Sequence, residues 1–511
     1  ELDKGQLQSP TWINQKLQFT HGYGVVMNPV NEVTEDGLPN FWIKDLPPKS
    51  TISMPIDRPE IYFGENASDY VFVNTREKEF DYPGEGNQTI YAHYEGKGGV
   101  ELNNFLKKIA FALRLGDSNI ILSRDITPQS RILLYRQIRE RALEIAPFLR
   151  YDRDPYIVVG DDGKLYWILD AYTTSSLYPY SERVGNQFNY IRNAVKVVID
   201  PYNGSMTFYL FDDADPLAQT YARIFPGIFQ PAAQMPETLK KHIRYPEDLF
   251  SIQANLYLTY HMKDSNVFYN KEDLWAIPNE TFSGNTQPVE PYYIIARLPG
   301  GEDEEYILFQ PLTPHNKDNL VAWLAARSDG EHYGELVLYR YPKQELVFGP
   351  LQIEARIDQD PEISAQFSLW DQGGSGIIRG NLLVLPLGNA LLYVEPIYLQ
   401  AESGRIPELK RVIVASGDQV IMADTLGEGL VELIGGMRPP ALAEIVPPAK
   451  EGDGNAKPPA VDQSVRQLAE SASAHYEAAQ EASRAGDWAK YGEELDALEA
   501  DLNKLLDITK E

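Results

Sequence analysis

A chain of 511 residues exceeds one ordinary core, so two or three domains are expected, and its 43% hydrophobic and 11% aromatic content excludes wholesale disorder. Acids outnumber bases 74 to 46, a formal charge of -28 with no basic block, which argues against nucleic acid and against direct binding to an anionic lipid surface. The absence of cysteine excludes disulfides, thiolate metal sites and cysteine nucleophiles. The acidity suits solubility, attraction of cations or a basic partner. No apolar run reaches the ~18 residues that a membrane-crossing helix needs, and no signal peptide is visible. The chain opens on Glu1 rather than Met, as expected of a processed protein or of a piece of a longer one.

Residues 1–97 read as irregular and strand-rich. The β-prone runs EIYFG (60–64), DYVFVNT (69–75) and QTIYAHYE (88–95) are separated by Pro-Gly and Gly-Asn breaks, a pattern that wraps a core rather than building one. A helix is predicted over 100–115, with Leu102, Phe105, Leu106, Ile109 and Leu113 on one face and Gly116 as its stop. Another is predicted from Thr127-Pro128, with Ile132, Tyr135, Ile138, Ala142 and Ile145 at helical spacing and Pro147 beyond its end. From Pro155 the period becomes two. PYIVVGDDGKLYWILDAYT (155–173) and NAVKVVIDPYNGSMTFYLFDD (193–213) are hairpins turning at Asp-Asp-Gly and at Asn203-Gly204. Helical stretches follow over 215–224 and 246–262. Strand-rich segments return over 292–434, where Gly388-Asn389 marks another hairpin, and NLVAWLAARS (319–328) fits either a short helix or a buried strand. Composition then breaks at a Pro-rich linker (437–460), followed by two amphipathic helical stretches separated at Gly486.

Candidate chemistry is sparse. His21, in THGYGVVMNPVNE, could serve as a base, but no partner acid stands in a recognisable order and the seven histidines form no metal-binding spacing. Its ordinary reading is a packing or turn role. GKGGV (96–100) precedes a helix yet lacks the phosphate-loop pattern, and Gly-Gly-Ser-Gly (373–376) reads as a turn. Asp212, Asp213 and Asp215 in FDDADP could offer oxygens to a divalent cation such as Ca, although acidic turns ordinarily cap helices. GGEDEEY (300–306) reads as a solvated loop. The tyrosines of YTTSSLYPYS (172–181) and EPYY (290–293) could stack on sugars, but burial in a sheet is the ordinary use of such rings. Trp488, Tyr491 and Leu495, on the second of the C-terminal helical stretches, are candidates for contact with a protein partner.

The segments TWINQKLQFTHGYGVVMNPVNE, DGLPNFWIKDLPP, YEGKGGVELNNFLKKIAFALRLGDSNIILS, NYIRNAVKVVIDPYNG, GPLQIEARIDQDPEIS and GDWAKYGEELDALEADL, in this order, resemble the uncharacterised bacterial membrane-protein family UPF0182. The resemblance runs over nearly the whole chain. It implies location rather than chemistry: such proteins carry several transmembrane helices, so this chain is expected to be the large soluble, extracytoplasmic region of a protein of the bacterial cell membrane. WINQKLQFTHGYG would then lead from the membrane into the core. The resemblance supplies no catalytic residue.

The expected fold is α+β. An irregular segment over 1–97 packs on the first core, and an α+β domain over 98–285 is followed by a β-rich α+β domain over 286–436. Both domains are mainly antiparallel, with packed helices, and a Pro-rich linker (437–460) leads to a helical hairpin (461–511). The expected function is protein binding or scaffolding at the membrane; the alternatives are an accessory domain of a transporter or channel, and an envelope hydrolase acting through paired carboxylates.

Overall fold

The structure is a computed structural model. It describes residues 7–435 apart from 68, 85, 87, 302, 372–374, 388–389 and 402–405, together with residues 490 and 497. The chain divides into two units, Glu1–Ala443 and Glu444–Glu511. The Pro-rich linker and, apart from residues 490 and 497, the hairpin with Trp488, Tyr491 and Leu495 fall outside the described residues.

The first unit is α+β and is built on three mainly antiparallel sheets. The first has six strands: Arg150–Tyr151, Leu165–Ser175, Tyr190–Ile199, Met206–Leu210 and Phe229–Pro231 in that spatial order, with Tyr156–Val159 also on Leu165–Ser175. Only the last pairing, Met206–Leu210 with Phe229–Pro231, is parallel. Both predicted hairpins are present. Gly204 closes the second at φ 70°, where an added Cβ would lie 2.6 Å from the Phe63 ring, so the turn needs glycine twice over.

Short strands and loops of the first hundred residues pack against this sheet. Tyr62, Phe63, Val71, Val73 and Tyr94 are buried in its core beside Trp167, Leu169 and Val197. The helix predicted from Thr127-Pro128 is different. Arg131–Leu133 is a strand between Val71–Val73 and Val100–Glu101, and the helix begins only at Ile138. Ile132 and Leu133 are both fully buried on opposite faces of that strand, Ile132 in a cluster with Phe72 and Leu102 and Leu133 in one with Val71 and Val73. Tyr135 turns the chain at φ 49°, and the Gln137 side chain caps the helix.

The second sheet runs Trp275–Ala276, Glu304–Pro314, Ala322–Arg327 and Leu336–Arg340, with Tyr292–Arg297 also on Glu304–Pro314. The ambiguous stretch at 319–328 is therefore a buried strand. The helix Glu247–Tyr260 sets Leu249, Phe250 and Ala254 into one core with Tyr172 of the first sheet and Leu308 and Leu312 of the second. The third sheet orders Ser375–Arg379, Ala390–Ala401, Glu408–Ser416 and Gln419–Ala423, with Leu383–Leu387 on Ala390–Ala401. Two helices, Pro350–Gln359 and Pro361–Trp370, meet at Asp360, which ends one and caps the other by accepting the Glu362 and Ile363 amides at 3.0 Å.

A charged pair lies inside the first sheet. Asp170 and Lys196 stand directly opposite on adjacent strands, 2% and 0% exposed. The ammonium donates to Asp170 and, at 2.6 Å, to the hydroxyl of Tyr333. Asn193 gives a second hydrogen bond to the same carboxylate at 2.9 Å. Removing one partner leaves a buried charge alone. Asp170→Ala is therefore expected to cost ~3–5 kcal/mol in urea unfolding, while the double change Asp170→Leu/Lys196→Met costs much less. Equal losses in the two variants would refute the pairing as the source of the cost.

Candidate functional site

A cleft of about 960 Å³ opens beside the first sheet. One wall is the helix Ile138–Ile145 and the turn after it, giving Arg139, Leu143, Pro147 and Phe148. The opposite wall is the helix Glu247–Tyr260, giving Asp248, Ser251, Ile252, Asn255 and Leu256. Tyr151, Tyr172 and Thr174 of the sheet form the floor, and the loop over 182–188 forms the rim. Four arginines line this space, Arg139, Arg150, Arg153 and Arg183, against two acids, Glu182 and Asp248. A basic concavity is unexpected in a chain of formal charge -28.

The four cations differ in what holds them. Arg153 donates its amide and its Nε to the Asp248 carboxylate, at 3.0 and 2.5 Å. Arg150 is held without being neutralised: it donates to the Gln187 side chain at 2.5 Å and sits 4.9 Å above the Phe188 ring. Arg139 has a buried Nε with no hydrogen-bond acceptor among the described residues. Arg183 forms no ion pair among them. The side chain of Asn189 helps to tie the rim that carries Arg183. Asn189 accepts the Tyr178 amide at 3.0 Å and donates to the carbonyls of Tyr178 and Ser181, at 2.7 and 3.3 Å. Tyr178 stacks on Tyr190.

Below the floor lies a buried polar seam. Tyr172 donates its hydroxyl to Asp152, which also accepts the amides of Asp154 and Asp248 at 2.9 and 3.2 Å. Burial pushes the Asp152 carboxyl up to about 6 against the Tyr172 and Asp154 hydrogen bonds, and the charges of Asp248 and Asp170 push the same way. Arg244 pairs with Asp154 and is sandwiched between the rings of Tyr156 and Tyr293, 4.1 and 4.6 Å from their centroids. Burial, then Asp154, raise Glu247 from 4.5 to about 7 against the pull of Arg244.

The residues singled out in the sequence lie elsewhere. Asp212 is engaged by Arg192, whose Nε and Nη2 donate at 2.8 and 2.5 Å. Asp215 caps the helix Pro216–Ile224 and accepts from Thr173 at 2.7 Å and from Tyr190 at 2.5 Å. Asp213 is exposed, and its carbonyl accepts from Gln219. Among the described residues no group of three His, Asp or Glu side chains is placed to hold a metal ion. His21 is buried, with Nδ1 2.9 Å from Thr20 Oγ1, Nε2 3.3 Å from Asp81 and its ring centroid 4.6 Å from that of Tyr62. The structure thus brings it two acids, Asp81 and the more distant Glu79, that no local sequence signal could show. The glycine loop at 96–100 turns its carbonyls inward: those of Lys97, Gly98 and Gly99 accept from the Arg131 guanidinium at 2.8, 2.7 and 3.2 Å. It cradles a cation and presents no phosphate nest. The arginine cleft was missed because its cations are scattered over 139–183. The dense run RERALEIAPFLRYDRD was the one available sign.

Comparison with known proteins matches residues 1–370 to the model of the Uncharacterised protein family (UPF0182). The chain belongs to the UPF0182 family. A UPF0182 protein of Pelotomaculum thermopropionicum is 52% identical over 507 residues, covering 99% of this chain and 55% of the relative. UPF0182 proteins of Moorella thermoacetica and Trichodesmium erythraeum are 49% and 47% identical, again covering 55% of each relative. The chain thus spans about half the length of the UPF0182 relatives it matches. No solved structure matches it.

The raised Glu247 fixes a pH dependence for this region of the UPF0182 chain. Its folded value lies above its unfolded value, so the unfolded chain releases the proton first as pH rises. Stability from this group is fully present below about 4.5 and is lost as pH climbs to about 7. Glu247→Gln is expected to lose less melting temperature than wild type between pH 5 and pH 8, read by calorimetry. Parallel curves for the two proteins would contradict the assignment.

Proposed function

We propose that this chain is the binding region of a longer membrane protein and that its cleft takes an anionic ligand with an apolar body. The observation that carries the proposal is the pair Arg139 and Arg183, with no carboxylate on either among the described residues, facing a cleft walled by Leu143, Phe148, Phe188, Ile252 and Leu256. An apolar concavity with a few convergent charged groups is the usual form of a small-molecule site. Guanidinium groups favour carboxylate or phosphate oxygens, which they bind through paired hydrogen bonds. The extracytoplasmic side of the cell membrane is part of the same proposal, on the strength of the sequence resemblance. Among the described residues no helix is long and apolar enough to cross a membrane.

The test is calorimetric titration of the chain with decyl phosphate, oleate and, as the uncharged comparison, decanol. The two anions are expected to bind and decanol to bind at least ~10-fold more weakly, since hydrogen bonds to charged groups contribute ~1.5–3 kcal/mol. Arg139→Ala/Arg183→Ala should weaken the anions by a similar factor and leave decanol unchanged. Equal affinity for decanol, or no effect of the double change, would overturn the proposal.

A further inference from the structure

The helix Phe105–Leu115 is amphipathic and faces the wrong way for a core helix. Its buried side consists of Ala112 with the half-buried Phe111 and Leu115, which join Leu102, Ile120 and Ile126 in a small cluster. Its opposite side is apolar too. Phe105 is 62% exposed, Leu106 76% and Leu113 79%. At ~100° per residue these three, with Ile109 and Ala110 between them, form one continuous outward arc. The next helical turn, Asn119–Leu122, adds Leu122 at 73% exposure and Ile121. Scattered exposed leucines need no explanation, but a contiguous apolar face does.

The charges around this face are the second observation. Lys107 and Arg114 fall at the edge of the outward arc and Arg124 follows the second helical turn, while Lys108 lies on the buried side between Ala112 and Leu115. None of them meets a carboxylate among the described residues. Lys107 donates to the Glu101 carbonyl and the Asn103 amide oxygen at 3.1 and 2.9 Å, Lys108 to the Ile126 carbonyl at 2.6 Å, and Arg114 to the Tyr135 hydroxyl at 2.5 Å. All four acceptors are uncharged, so the positive charge stays unneutralised. Asp117, the one acid over 102–124, is turned inward onto the Trp12 indole and the Tyr70 hydroxyl at 2.6 and 2.5 Å. A chain that repels anions as a whole has gathered cations around its outward apolar helix.

We infer that the helix Phe105–Leu115 and the turn Asn119–Leu122 form a patch that lies on an anionic bilayer surface, with Phe105, Leu106, Leu113 and Leu122 inserted among the acyl chains and Lys107 and Arg114 on the headgroups. An apolar face gives depth and flanking cations give preference for negative lipid, the pairing that defines interfacial helices. Net charge alone excludes this surface; the local distribution restores it. The patch is independent of the arginine cleft, and either can fail without the other.

Flotation of the 511-residue chain with vesicles decides it, using phosphatidylcholine alone and phosphatidylcholine with phosphatidylglycerol. Wild type is expected to float with the mixed vesicles, to float less in high salt, and to ignore phosphatidylcholine alone. Leu106→Glu/Leu113→Glu should lower the bound fraction ~10-fold or more, and Lys107→Glu/Arg114→Glu should do the same for the mixed vesicles. The leucines are exposed, so their variant should keep the wild-type melting temperature, which separates lost binding from lost folding. Failure of wild type to float, equal flotation of wild type and the leucine variant, or equal flotation on both vesicle types overturns the inference. Loss of a wild-type dimer in the leucine variant, without flotation of either, would assign the face to a second copy instead.

Discussion

One cross-strand ion pair sets the register of the first sheet. Lys196 and Asp170 lie opposite each other on its two longest strands, with almost no access to water. A slip of one residue would turn the lysine to the other face and strand its charge in an apolar environment. Apolar neighbours such as Val195, Val197, Ile168 and Leu169 would tolerate several alignments; the pair tolerates one. Tyr333, from the loop before the last strand of the second sheet, completes the shell of the ammonium. The two sheets are therefore coupled through this ammonium as well as through the core that Tyr172, Phe250 and Trp275 share.

The tyrosines make this arrangement affordable in an acidic chain. Tyr156 and Tyr293 enclose Arg244, Tyr172 supports Asp152, and Tyr62 donates to Glu79 at 3.0 Å. Tyr172 and Tyr62 fill apolar volume while their hydroxyls donate to carboxylates, and Tyr156 and Tyr293 give their ring faces to a guanidinium, so buried charges gain partners without extra water. Burial drives these hydroxyls to higher pKa in every case, with the neighbouring carboxylates adding to it, and they stay protonated donors across physiological pH. The arginine cleft sits on top of this rigid seam, which fixes its floor.

Local periodicity and turn chemistry made the hairpins legible: Asp-Asp-Gly and Asn203-Gly204 stand between runs of period two, and both turns occur as read. The helix at 216–224 was legible for the same reason, with Asp215 before Pro216 as cap. The stretch from Thr127 was not. Ile132, Tyr135 and Ile138 are spaced for a helix, yet pairing with Val71–Val73 and Val100–Glu101, far away in sequence, draws Arg131–Leu133 into a sheet. The helix Phe105–Leu115 was legible as an element and illegible in orientation, because a stripe in a sequence carries no arrow toward the core. The charged pair had a visible trace, an Asp inside WILDAY and a Lys inside NAVKVVI, each interrupting an otherwise apolar strand. The cleft had almost none, since Arg139 and Arg183 come to line one cleft only after the sheet has formed.

The amide of Asn189 has a consequence for the energetics of recognition. By accepting one backbone group and donating to two others it holds the loop that carries Arg183 before any ligand arrives. A rim that is already ordered loses little conformational entropy on association, so more of each guanidinium contact survives as affinity. Under the proposed binding role, a ligand would leave only as fast as the rim gives up these hydrogen bonds to swing aside. In that role one asparagine outside the cleft would govern residence time without touching what is bound.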